Sequence, residues 1–280
     1  INKSTQLQFT DRAMIHEPDI DQLNGRYYAQ NDFKASLKRK LGEATDLGMT
    51  GGYVLRRNKN DPQNFETRDF DRYLLSYFAS RALSDYKSLS AGMSYTSHKI
   101  KFNAGGLSVL NVYCGYDHSF SSKIKASGQL GISSGTVENM FNAESTSREE
   151  FYKLGLNYEI SDRTRINSSI SHSMQFTTLT AFNAENRSDF LTAFQHDFTQ
   201  DLSFSLSYSF IKSEYISSFD RDENATVTVE DLNKVINARL SYQINELTGF
   251  EIGVQSRNRE GYDGSETERN KLFLGLRYNI

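Results

Sequence analysis

The sequence predicts an all-β protein, a closed antiparallel transmembrane barrel of about 14 strands, roughly 12–16 by pattern, with short turns at one rim and longer loops at the other. Three observations carry this. Apolar and polar residues alternate in runs of about ten residues. Short polar turns and longer connections separate these runs in regular succession. No stretch approaches the roughly 20 consecutive apolar residues that a membrane helix requires. Successive residues of a strand point to opposite faces, so such alternation gives one apolar and one polar face.

From the N-terminal side, residues 1–15 lack both a basic start and an apolar core, so no secretory leader is expected there; a mature, processed chain has the same look. Lys34, Lys38 and Lys40 share one face of a strand that leads into the turn Gly42-Glu43-Ala44-Thr45. Further turns are expected at Ser84-Asp85-Tyr86-Lys87, Ser119 to Ser122, Ser161-Asp162-Arg163, Thr199-Gln200-Asp201 and Asn245-Glu246-Leu247-Thr248. Their spacing, roughly 35–46 positions, holds two strands of about 12 residues, one tight turn and one longer loop. Ile124, Ala126, Gly128, Leu130 and Ile132 alternate with Lys125, Ser127, Gln129, Gly131 and Ser133. Tyr152, Leu154, Leu156, Tyr158 and Ile160 alternate with Lys153, Gly155, Asn157 and Glu159. The run Leu202, Phe204, Leu206, Tyr208 and Phe210 has a second face of Asp201, Ser203, Ser205, Ser207 and Ser209. Between Glu230 and Leu247 the apolar residues fit a helical face and a strand equally well, and the neighbouring strands decide for strand. Asp231 to Lys234 leaves room for a short helical turn before it. The last run alternates Leu272, Leu274, Leu276, Tyr278 and Ile280 with Phe273, Gly275, Arg277 and Asn279.

Longer connections are expected at 16–32, 58–66, 138–148, 179–187, 218–230 and 261–266, with a shorter one near 100–104. Pro18 and Pro62 fall in them, where a missing backbone donor does no harm. The whole chain, 1–280, reads as one domain. A soluble sandwich would also bury an apolar face, but three features favour the membrane barrel. Its strands are longer than the 5–6 residues usual in globular sheets. The second face is rich in Ser, Asn, Gln, Gly, Lys and Arg, as a wet lumen requires. Tyr158, Phe198, Leu202, Phe250 and Tyr278 collect near strand ends, as an interfacial girdle does.

Bulk composition hides this pattern. The chain has 32 Lys and Arg against 35 Asp and Glu, a formal charge of −3, 37% hydrophobic residues and a mean hydropathy of −0.60. The near-neutral balance gives no reason to expect a nucleic-acid partner. A single Cys excludes a disulfide framework or multi-Cys zinc site, and no cofactor is implied. Alternation assigns Lys34, Lys38, Lys40, Arg56, Arg72, Lys125, Lys153, Arg165, Arg239, Arg257 and Arg277 to the lumen, with Asp117, Glu159, Asp197 and Glu251. That wall carries a surplus of seven positive charges, and the loops take most of the compensating negative charge. A basic lumen concentrates anions. Cations that merely fill a wet lumen and pair across strands would give the same list. Lys34, Lys38 and Lys40 are the sharpest local cluster, set either to grip passing anionic groups or to pair with neighbouring carboxylates at the rim.

Two smaller readings remain. Asp220, Asp222, Asn224 and Asp231 have the oxygen spacing of a calcium loop, yet Ala225 replaces its turn glycine and Asp231 its terminal Glu. A solvated acidic loop is the simpler reading. His16, His98, His118, His172 and His196 show no metal-ligand spacing, and there is no Gly-x-Ser-x-Gly or compact acid pair, so no enzyme is expected. Cys114 has outward parity in an apolar run and reads as lipid-facing.

The joint Tyr158-Glu159-Ile160-Ser161-Asp162-Arg163-Thr164-Arg165-Ile166 and the closing Leu274-Gly275-Leu276-Arg277-Tyr278-Asn279-Ile280 resemble Gram-negative outer-membrane β-barrels, in particular the porins associated with exopolysaccharide export systems. In that superfamily the last strand commonly ends in Phe, whereas here Ile280 stands. The resemblance implies the bacterial outer membrane, with short periplasmic turns, longer extracellular loops, and lipid and lipopolysaccharide as surroundings. Its implied function is a channel for anionic solutes or an exopolysaccharide. The alternatives are a docking barrel with envelope protein partners, and an outer-membrane barrel enzyme. The 16–32 loop, with Tyr27 and Tyr28, is expected to fold inward and constrict the pore.

Overall fold

In the computed structural model, the described residues are 5–16, 28–58, 69–100, 105–138, 144–177, 184–216, 228–245, 247–261 and 263–278. They form one antiparallel sheet of fourteen strands in chain order. These are β1 (Thr5–His16), β2 (Tyr28–Leu41), β3 (Thr45–Asn58), β4 (Phe70–Ser84), β5 (Lys87–Ile100), β6 (Gly106–Ser119) and β7 (Ile124–Glu138). There follow β8 (Glu144–Ser161), β9 (Thr164–Phe176), β10 (Ala184–Asp197), β11 (Leu202–Ile216), β12 (Thr228–Gln243), β13 (Thr248–Glu260) and β14 (Glu266–Tyr278). The expected class, strand number and turn positions hold. No ladder joins β1 to β14 among the described residues, and the outward Leu272, Leu274 and Leu276 of β14 are 66–74% exposed. Unpaired backbone groups cost several kcal/mol each in hydrocarbon, so both edges have to be paired in a membrane.

The strands run further towards the loops than alternation foretells. β8 starts at Glu144, β10 at Ala184 and β12 at Thr228, all inside segments expected to be loop. Pairing continues there, for example Glu138↔Glu144 and Ile216↔Thr228. The outer face of these ends is charged: Lys212 bonds Glu214 at 2.7 Å and Glu230 at 3.0 Å, and Lys234 meets Glu260 at 3.4 Å. Above the bilayer a strand needs no apolar face, so the period that reveals it fades while its hydrogen bonds persist. The helical turn expected at Asp231 to Lys234 is likewise absent; those residues belong to β12 and pair with β11 from Ser213 to Phe210.

Register fixes the two faces. Leu206, Ala238, Val254 and Leu272 lie side by side across β11 to β14, and one step along lie Ser205, Arg239, Gly253 and Phe273. Ile236, Ala238, Leu240 and Tyr242 on β12, with Ile244 just past its end, give five outward apolar positions over about 26 Å, the scale of the lipid-facing band of outer-membrane barrels. Aromatic residues bound this band. Tyr116, Phe120, Tyr158, Phe198, Tyr242 and Phe250 are exposed on the turn side, and Tyr73 and Tyr95 on the loop side. Tyr278, expected in the girdle, is described by its backbone alone.

The sheet curls around its polar face. β8 and β9 pair only between Tyr152↔His172 and Ser161↔Thr164, although β8 begins at Glu144. Beyond His172, β9 leaves its neighbour and crosses the inner side. Phe176 stacks on His98 of β5 at 4.4 Å and lies 5.9 Å from Phe70 of β4. Met174 and Ala184 pack with Leu107, Val109 and Val137 of β6 and β7 into the one apolar cluster among the described residues. By parity Met174 belongs to the outward face of β9, yet it lies against Gly135 of β7, where a Cβ would collide with its sulfur. The end of β9 and the start of β10 are therefore folded into the barrel.

Candidate functional site: the cationic inner wall

Inner-face side chains are set by the same registers. Phe78 lies flat over Gly48 of β3, and Phe273 over Gly253 of β13, each filling the space a Cβ would take. These rings hug the wall and leave the lumen to longer polar side chains. Arg239 extends over Phe273 at 5.5 Å and pairs with Glu251 at 3.3 Å.

The expected lumen residues divide by circumstance. Lys38 pairs with Asp46 at 3.1 Å, the rim-pairing alternative for that cation, while Lys34 stands opposite Gly52 and Lys40 opposite Asp46 in the ladder. Lys125 and Lys153 lie on β7 and β8, Lys153 opposite Gln129. Arg165 donates from Nη2 and Nε to Gln195 Oε1, at 2.7 and 3.1 Å. Arg257 donates to Asn233 at 3.0 Å. Arg56 and Arg72 come together at the loop end of β3 and β4. Arg277 is described by its backbone alone, opposite Gly249. The set is thus spread round the wall, and Arg56 with Arg72, and Lys34 with Arg72, share cavities.

Register adds residues that alternation did not single out. Arg12, Arg187, Arg259, Arg269 and Lys271 have inner parity, as do Asp32, Asp46, Glu149, Glu185, Asp189 and Asp231. Cations still outnumber carboxylates. Arg187 falls in the expected 179–187 connection but lies on β10, whereas Arg269 and Lys271 follow from extending the final alternation two steps back. The carboxylate Asp231, only 7% exposed, is gripped by Arg259 through Nη2 at 2.5 Å and Nε at 3.0 Å, and Tyr215 donates to it at 3.4 Å. Asp231 is therefore committed to Arg259 on a strand, which removes it as a calcium-loop ligand. Asp220, Asp222 and Asn224 lie outside the described residues, as does most of the 16–32 loop, with Tyr27. Among the described residues no group of three or more His, Cys, Asp or Glu is placed to hold a metal ion.

Two cavities adjoin on this wall at Arg72 and Thr96. One, about 310 Å³, is lined by Lys34, Tyr53, Arg72 and Leu74 among others. The other, about 290 Å³, lies under the folded-in end of β9 and is lined by Arg56, Phe70, Arg72, His98, Asn111 and Phe176, with apolar neighbours. Sequence reasoning passed over His98 because it has no ligand spacing, and over Phe176 because its partner strands are distant in the chain. On the outer face, His172 Nδ1 meets Ser188 at 2.8 Å, His196 Nδ1 meets Thr164 at 2.8 Å, and exposed Cys114 points its sulfur at the Leu130 carbonyl.

No family model and no curated protein matches the chain. Solved structures do. The FrpB iron transporter of Neisseria meningitidis aligns with a TM-score of 0.62 at 12% identity, over 91% of this chain and 50% of that one. The copper transporter OprC aligns at 0.60 and 9% identity, over 100% and 61%. The alcaligin outer-membrane receptor FauA of Bordetella pertussis aligns at 0.56 and 10%, over 99% and 54%. The chain spans about half the length of these structures. It shares the fold of the part of those structures that it covers, and with its apolar exterior and aromatic bands the chain is a β-barrel protein of the bacterial outer membrane.

Proposed function

We propose that this protein is an outer-membrane channel whose cationic inner wall passes an anionic solute. The observation that carries the reading is segregation of charge: in a chain of net charge −3, cations outnumber carboxylates on the inner face. Rings of one sign at close quarters set pore selectivity, and Lys34 and Arg72 line one cavity on that path. No catalytic step is part of the proposal.

Two anionic cargoes fit. Solved proteins of this fold include an iron transporter, a copper transporter, a ferric-catecholate import receptor and a ferripyoverdine receptor. A ferric catecholate is an anion, so a negatively charged metal chelate is one candidate. An acidic exopolysaccharide is the other, through the sequence resemblance. Reconstitution in a planar bilayer under a potassium chloride gradient tests the common claim. A reversal potential favouring chloride is expected, and K34E/K38E/K40E should move it towards potassium; a cation-selective wild-type pore would overturn the reading. A docking barrel that conducts nothing is the second reading, and the folded-in end of β9, which takes up part of the lumen, favours it. Absence of conductance from correctly folded protein would decide for docking.

A further inference from the structure

We infer that the cavity under the folded-in end of β9 is a binding site for a small aryl carboxylate, a single aromatic ring bearing one carboxylate head. The inference deepens the channel reading, because it names a solute class for one place on the same wall. Its cationic side is Arg56 and Arg72, from neighbouring strands. Arg56 lies 5.8 Å from the centre of the Phe70 ring, and Arg72 makes no hydrogen bond or ion pair with any described residue. A guanidinium takes a planar carboxylate through two parallel hydrogen bonds, which an inorganic sphere of charge cannot match so well.

The other side is flat and apolar. His98 and Phe176 stack at 4.4 Å with planes 9° apart, and Phe70 sits 5.4 Å from His98. Leu107, Val109 and Met174 complete the wall. This composition rejects a bare hydrated anion and rewards a ring, since aromatic surfaces pair with rings at such separations. His98 is 8% exposed and lines the cavity, part of the aromatic wall rather than of its polar side. The volume, about 290 Å³, lies at the lower end of ligand pockets, roughly 300–1,000 Å³. That volume holds one ring and its head.

The test uses the refolded full chain and three probes followed by fluorine or phosphorus NMR: 4-fluorobenzoate, neutral fluorobenzene and inorganic phosphate. Saturable binding of 4-fluorobenzoate at one site is expected, with fluorobenzene and phosphate each weaker by about ten-fold or more. R72Q should weaken 4-fluorobenzoate by about ten-fold, and F176L should weaken it without strengthening phosphate. Equal binding of phosphate, or binding unchanged in both variants, overturns the proposal. The channel reading fails separately, since it rests on the wild-type reversal potential, which neither probe binding nor its absence moves.

Discussion

Replacing Leu240 by Arg is expected to destabilise the membrane-inserted barrel by about 2–4 kcal/mol, the cost of a cation at the bilayer midplane on a lipid-facing strand. Leu240 stands between Phe204 and Ile252 in the ladder, in the middle of the outward apolar run of β12. Ser241, one residue on, faces the lumen beside Ser203 and Glu251, so Ser241→Arg should cost little. Urea unfolding of both variants from phospholipid vesicles measures the difference. Equal losses at the two positions would mean that the faces are misassigned.

The second large effect is expected at Leu107→Ala. Leu107 is 2% exposed and belongs to one buried cluster with Val109, Val137, Met174 and Ala184. Truncating a buried leucine costs about 2–5 kcal/mol, through lost transfer energy and the cavity left behind. The loss should fall on the folded-in end of β9, because the barrel wall is held by its own ladders and not by this cluster. Hydrogen exchange read at the Met174 to Phe176 amides should accelerate strongly, while amides in the middle of β12 stay protected. Unchanged exchange at Met174 would show that the end of β9 is held in place by something other than this packing.

The contrast between these two sites explains what the sequence discloses. Leu240 is legible because a wall strand facing lipid and water must alternate, and each side chain declares its face by parity alone. The same rule placed Lys38, Arg165 and Arg239 on the inner face. Where a strand rises above the bilayer the rule loses its cause, so the early residues of β8 and β10 read as loops. It misleads at Met174 and Phe176, whose parity is outward but whose strand has crossed into the lumen. Nothing local to residues 173–176 announces that crossing; it depends on β9 parting from β8 and on a cluster that includes Leu107 and Val109, far back in the chain. The pocket of Arg56, Arg72 and His98 was hidden for the same reason, since one of its walls comes from β9.

Site-by-site labelling tests directly for an apolar exterior around a water-filled interior. With Cys114 replaced by Ser, single cysteines at Leu206 and Ser205 sit on adjacent residues of β11 that face opposite sides. In vesicles, a bimane at position 206 should be quenched by brominated lipid, and the cysteine at 205 should react with a charged methanethiosulfonate reagent from water. The reverse pattern, or equal reactivity at both positions, would contradict the barrel described here.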